Sequence, residues 1–225
     1  MSSQGWDPYD ETPAVLGLVP VEGRGSLPFA LVHGESLVAS ASWALSTAGI
    51  DLYDLSVPFE QVREAGLVLV VHDPLCPLTP ASFLAECVTE AQRTGAVVVG
   101  VRPVTDTVKA YAAEASGVLR LGATVDRETL VCPTSPVVLP AAVLAALDSL
   151  EVDDLAALVA SLSERFPVRH LLAPALGRRV VDESDLAVLA ALSAATATSS
   201  GSVGVDSDGL PDGLPDGGLS PDGPG

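Results

Sequence analysis

Aromatic residues are scarce: four Phe, three Tyr and two Trp make up 4% of 225 residues. A core built without them must come from Ala, Val and Leu, which suit helices and buried strands. Lysine is scarcer still. Ten arginines accompany a single lysine, Lys109, so chemistry that needs a lysine elsewhere has none to draw on. Cations are outnumbered by 29 Asp and Glu to 11 Lys and Arg, a formal net charge of −18. That balance excludes the broad basic surface on which nucleic-acid binding depends, so no nucleic-acid partner is expected. The three cysteines, Cys76, Cys87 and Cys132, are odd in number and lack CxxC spacing, which argues against both a disulfide framework and a zinc site. No apolar run reaches the roughly 18 residues of a membrane-spanning helix. There is no basic amphipathic helix either, so no membrane partner is expected. The opening "MSSQGWDPYDE" has neither a basic n-region nor an apolar h-region. No signal peptide, and hence a cytoplasmic location, is the expectation.

What is present is an alternation. Residues 1–13 are polar and carry prolines, as expected of a loose leader. "AVLGLVP" is a short apolar run, followed by a loop containing Gly23 and Gly25. "ESLVASASWALSTAG" places Leu37, Val38, Ala41, Ala44, Leu45 and Ala48 at helical spacing and stops at Gly49. "GLVLVVHD" is a continuous β-rich run, as expected of a strand covered on both faces. "TPASFLAECVTEAQRTG" predicts a helix with Thr79 as N-cap, Pro80 at its first position and a buried stripe of Phe83, Leu84, Cys87, Val88 and Ala91. "AVVVGVRPV" predicts the next strand, and residues from about 110 to 131 a β arm. Helices are expected near 139–149, 153–165 and 183–196, with a strand in "PVRHLLA". From 199 the chain repeats Gly-Leu-Pro-Asp and is expected to be a disordered acidic tail.

This order predicts an α/β domain over 14–198, with a mainly parallel Rossmann-like sheet and helices on both faces. In such sheets ligands bind at the carboxyl ends of the strands, where His72 and Asp73 follow a central apolar run.

Four stretches, in order, resemble one family. "GLVPVEGRGSLPFALVHGESLV" resembles the opening loop of nucleotidyltransferases that activate sugar-like phosphates. "VVHDPLCPLTP" resembles the His-Asp-Ala-Ala-Arg-Pro segment of the 2-C-methyl-D-erythritol 4-phosphate cytidylyltransferases. "RPVTDTVK" is similar to their Pro-Val-x-Asp-Thr-(Ile/Met)-Lys, and "TVDRETLVCPTSPVVL" to Thr-Val-Asp-Arg followed by Gln-Thr-Pro-Gln. The resemblance covers roughly residues 14–195. It implies a homodimer, or a heterodimer with a paralogue, whose β arm reaches into the partner's site. It also implies transfer of CMP from CTP to the sugar-alcohol phosphate with Mg²⁺, releasing pyrophosphate. On this resemblance Asp73 takes the place of the metal-binding aspartate and Arg179 that of a catalytic lysine. Thr107, Arg127 and Ser135, with Asp106 and Lys109, fall on the substrate-binding positions. Gly23, Arg24 and Gly25 fall on a degenerate nucleotide loop.

The departures from the family pattern are as specific. The loop is shorter, and Glu22 puts an anion where triphosphate should lie. Phe29 stands at the position of a lysine, Cys76 at that of an arginine, and the Gly-Gly-x-x-Arg-x-x-Ser element that contacts cytidine is missing. Losing one transition-state cation or donor typically costs about 10²–10³ in rate. CMP transfer is therefore expected to be weak or lost. The alternative is a non-catalytic dimerising paralogue that binds a partner subunit or a small phosphate.

Overall fold

The computed structural model describes residues 15–53, 57–113 and 117–200; the leader and almost all of the expected tail lie outside them. Strand β1 (Val15–Leu18) leads into a hairpin of β2 (Leu31–Val32) and β3 (Glu35–Ser36), then helix α1 (Leu37–Thr47) and the short strand β4 (Asp51–Leu52). Helix α2 (Phe59–Glu64), strand β5 (Val68–Val71), helix α3 (Ala81–Thr94) and strand β6 (Val97–Pro103) follow. Next come β7 (Val108–Ala113), β8 (Leu119–Val125) and β9 (Val131–Leu139). The described chain closes with α4 (Ala141–Ala145), α5 (Leu155–Arg165), β10 (Val168–Leu172) and α6 (Glu183–Ser200).

Six strands form one sheet in the order β10-β6-β9-β5-β1-β4. All neighbouring pairs are parallel except those of β9, which runs antiparallel to both β5 and β6. The exception has a local cause. A hairpin, not a crossover helix, joins β6 to β9, so the chain returns beside β6 in the opposite direction.

The strands at the centre are buried on both faces, and the period of two divides their side chains. Val68 and Val70 of β5, Val98 of β6 and Val138 of β9 pack with Phe83, Leu84, Cys87, Val88 and Ala91 of α3 and Leu45 of α1. Val71, Val97, Val99, Val137 and Leu139 face the other way, against Val143 of α4 and Leu155, Leu158, Val159 and Leu162 of α5. The stripe expected on α3 is the one that is buried. The helix starts one residue later than expected, because Pro80 is itself extended (ψ 137°) and serves as the N-cap. Thr79 instead turns its hydroxyl back to the Cys76 carbonyl, at 2.9 Å.

The arm is the β7–β8 hairpin, a separate two-stranded sheet. It spans 108–125, not 110–131, since the residues from Val131 onward join the main sheet as β9. Helix α6 runs to Ser200, two residues into the stretch expected as tail. Among the described residues no helix is long and apolar enough to cross a membrane.

Candidate functional site

Strand β5 ends at Val71, and the next two residues, His72 and Asp73, remain fully buried. The His72 amide donates to the Leu18 carbonyl at 2.8 Å, which carries the β1–β5 ladder one residue past the strand. His72 Nδ1 hydrogen-bonds Ser135 Oγ, which also accepts from the Asp73 amide at 3.1 Å. Ser135 on β9 is thus turned inward with no exposure. His72 Nε2 has no hydrogen-bond partner among the described residues. Burial lowers the His72 pKa to about 4, against the opposing pull of the Asp73 charge, so the ring is neutral at pH 7.

The Asp73 carboxylate is held from both sides. Arg24 Nε donates to Oδ1 at 2.8 Å, and Arg179 Nε to Oδ2 at 2.9 Å. The Leu75 amide adds a third bond to Oδ1, at 3.0 Å. Burial by itself raises this pKa. The Arg24 charge, the Leu75 amide and Arg179 outweigh it and hold the carboxyl below its ordinary value.

Each arginine is placed by its own backbone. Gly23 has φ 74°, and a Cβ there would lie 2.8 Å from the Asp153 carbonyl oxygen, so only glycine lets the loop lie against the start of α5. The chain then turns Arg24 inward. Its side chain is 1% exposed, and its remaining donors reach the carbonyls of Glu22 (2.6 Å) and Val152 (2.8 Å). Gly25, at φ 59°, has open space beside it. On the other side the Val180 amide donates to the Leu75 carbonyl at 2.7 Å, which pins the segment that carries Arg179. Arg179 stays 34% exposed. It lines a cleft of about 740 Å³ together with Gly23, Arg102, Arg178, Thr134 and Asp154. Arg178 is paired with Asp185 at 2.8 Å, whereas among the described residues Arg102 donates only to the carbonyls of Ala173 and Pro174.

The expected site residues therefore divide into two groups. Asp73, Arg179, Ser135, Arg24 and Gly23 come together at the carboxyl ends of β1 and β5. Asp106 and Thr107 are exposed at the base of the arm. Lys109 lies on the arm and donates to Thr124 Oγ1 across the hairpin, at 2.9 Å. Arg127 donates to the Thr105 carbonyl at 2.6 Å, tying together the two ends of the arm. None of these four touches Asp73 in this chain. Phe29 is 61% exposed and lies outside the cluster. Cys76 is fully buried, and burial, then the Asp73 charge, push its thiol up to about 12. The pairing of Arg24 with Asp73, the inward turn of Ser135 and the placement of Arg102 and Arg178 escaped the sequence reading. The only sequence signal for the first was a lone arginine between two glycines. Among the described residues no three His, Cys, Asp or Glu side chains gather as metal ligands would.

No protein-family profile matches the chain, and no curated protein sequence does. Solved structures do. The 2-C-methyl-D-erythritol 4-phosphate cytidylyltransferase of Thermus thermophilus superposes with a TM-score of 0.57 at 23% identity, over 80% of this chain and 98% of that one. The 4-diphosphocytidyl-2C-methyl-D-erythritol synthase of Anaerococcus prevotii gives 0.57 at 14% identity, over 81% and 96%. The Francisella tularensis cytidylyltransferase gives 0.55 at 12% identity, over 78% and 98%. The chain carries the fold of the 2-C-methyl-D-erythritol 4-phosphate cytidylyltransferases.

Proposed function

We infer that this chain is a divergent member of the cytidylyltransferase family in which CMP transfer has been lost, and that it serves as a dimerising, non-catalytic protein. One observation carries the reading: both oxygens of Asp73 are committed to arginines. A magnesium site needs carboxylate oxygens free to share the ion with substrate phosphates. Here a guanidinium, fixed by three hydrogen bonds and shut away from solvent, stands against the carboxylate instead. The residues present do not fit Mg²⁺, and no step of a reaction is assigned to it.

Catalysis of in-line phosphoryl attack rests on positioning and on positive charge aimed at the developing anion. Arg24 has spent its charge on Asp73. Phe29 brings no charge and points to solvent. Ser135, the hydroxyl expected to bind substrate, is spent on His72 and the Asp73 amide. What remains open is the arginine-lined cleft. Arg179 and Arg102 offer donors there, Arg102 having no acidic partner among the described residues; Asp153 and Asp154 line the same cleft, the latter turned to the first amides of α5. These features support retention of a small phosphate ester without turnover. The partner subunit is supported by the arm, where Tyr111, Leu119 and Leu121 are 68%, 62% and 72% exposed. An isolated two-stranded hairpin is marginal in water, and apolar side chains at this exposure call for a cover.

Calorimetric titration tests the reading. Mg²⁺ alone, and CTP with Mg²⁺, should give no binding heat below millimolar concentration. Saturable micromolar binding of CTP that depends on Mg²⁺ would overturn it.

A further inference from the structure

Strand β9 joins the main sheet at Val131 and carries Cys132 and Thr134 on one face, two residues apart. Their register partners on β6 are Arg102 and Gly100. Cys132, Thr134 and Arg102 all line the arginine-lined cleft. Of the three thiols in the chain only that of Cys132 is exposed. Cross-strand partners have their Cβ atoms about 5 Å apart, so the Arg102 side chain leaves the sheet beside this thiol. Gly100 presents no side chain opposite Thr134.

The cleft also holds a polar group that the described fold does not satisfy. Thr134 is 2% exposed, and its Oγ1 has no hydrogen-bond partner among the described residues. A buried hydroxyl left unpaired is costly, so a polar atom brought in from outside the fold is favoured there. Both signs of charge line the cleft: Arg102, Arg178 and Arg179, with Asp153 and Asp154. Arg178 is spent on Asp185, and Asp154 on the Ala156 and Ala157 amides. Arg102, Asp153 and the outer nitrogens of Arg179 are left to meet a bound molecule. A carboxylate and an ammonium on one small molecule match that set.

We propose that Cys132 is a site of reversible mixed-disulfide formation with a small thiol that carries an amino-acid end, carboxylate and ammonium together, as glutathione does. The Cys132 thiol loses its proton to solvent, and the thiolate attacks one sulfur of the free small-molecule disulfide. A bond forms between Cys132 Sγ and that sulfur, the original S–S bond breaks, and the other half leaves as a thiolate that takes up a proton. Cys132 is oxidised and the leaving half is reduced. Arg102 takes the carboxylate beside the thiol, Asp153 the ammonium, and the Thr134 hydroxyl gains a partner. The attached half then fills the cleft. This step rests on the cleft being open to a small anion, as the proposed function has it, and adds a redox control to the same site.

The test treats the full chain with glutathione disulfide, neutral hydroxyethyl disulfide and cationic cystamine, and follows intact mass with time. Glutathione disulfide should add one glutathionyl group to the native chain, on Cys132, removed by dithiothreitol and absent from a Cys132→Ser variant. Each rate is divided by that of a free peptide of residues 130–135, which cancels the intrinsic reactivity of the disulfide. On that scale glutathione disulfide should react at least fivefold faster than either of the others. Arg102→Gln should cost at least threefold with glutathione disulfide and leave the neutral disulfide unchanged. In the unaltered protein the preference should shrink as salt rises, a readout that needs no variant. Equal normalised rates for the three disulfides, a preference moved by neither salt nor Arg102→Gln, or modification of Cys76 ahead of Cys132 would each overturn the proposal. Titration of the unmodified chain with glycerol 3-phosphate separates the two readings. Phosphate binding without selective exchange at Cys132 sinks the thiol site alone, and selective exchange without phosphate binding supports the thiol site and sinks the retained phosphate.

Discussion

Arg24 and Asp73, 49 residues apart in the chain, meet at 2.8 Å with their side chains 1% and 0% exposed. A buried pair of this kind is weak evidence for stability, because desolvating two charges offsets most of their attraction. Removing one partner is another matter. Asp73→Ala leaves Arg24 buried and uncompensated, and should cost about 3–5 kcal/mol. An Arg24→Met, Asp73→Ala double variant should recover part of that loss, since the one cation left without its partner, Arg179, is 34% exposed and reaches water. Urea denaturation of the four proteins measures both. A double variant as unstable as the sum of the singles would show that the two side chains are not coupled.

Stability should fall with acid well before carboxylates titrate in bulk. His72 ionises at 6.5 when unfolded but only near pH 4 when buried. Between those values the unfolded chain binds a proton that the folded chain does not, so stability rises with pH across the window. Above pH 6.5 both states are neutral at this residue and the dependence disappears. The full span amounts to about 3 kcal/mol. Asp73, whose pKa is depressed, adds a further loss below the ordinary carboxylate range as it is protonated away from its arginines. Denaturation at pH 7, 5.5 and 4.5 should show the slope, and His72→Gln should flatten it above pH 4.5. An unchanged slope in that variant would assign the effect elsewhere.

The three thiols should react unequally. Cys132 is exposed, whereas Cys76 and Cys87 are buried and their pKa values are pushed up to about 12 by burial. Reactivity follows the thiolate and its access. A colorimetric thiol titration in native buffer should therefore release one equivalent, and denaturant should release the other two. Rapid reaction of Cys76 in the native protein would mean that the site opens far more readily than its packing suggests.

Dimerisation should depend on the apolar tip of the arm. Tyr111 and Leu121 are directly opposed across the hairpin, and both are exposed. Tyr111→Ser with Leu121→Ser should lower the sedimentation mass from dimer to monomer at micromolar concentration without loss of helical signal. A deletion should remove 108–125 and spare Val131 onward, which belongs to the central sheet. A monomer before any change would remove the arm from the account.

The sheet and its helices were legible in the sequence because local chemistry decides them. The run Val68–Val71 has no polar side chain, and α3 shows its stripe at 3.6-residue spacing. The reversed direction of β9 was not drawn from the sequence, although the β arm expected at about 110–131 already puts a hairpin where a crossover helix would otherwise stand. At the site, Asp73 and Arg179 were singled out through motif order, and the two side chains meet. The role of Arg24 was not, because it depends on a glycine whose close approach to Asp153 is a tertiary contact. Cys76→Arg, the change that would restore the family pattern by sequence, would place an arginine in a fully buried position beside Asp73. Arg24→Ala with Phe29→Lys is the better restoration to attempt.

The central claim is that arginines, and not a metal ion, neutralise Asp73, and Mg²⁺-dependent pyrophosphate release tests it most directly. With CTP, 2-C-methyl-D-erythritol 4-phosphate and Mg²⁺ at high protein concentration, release should not rise above the protein-free background. Release at several turnovers per minute, abolished by chelating the metal, would contradict it.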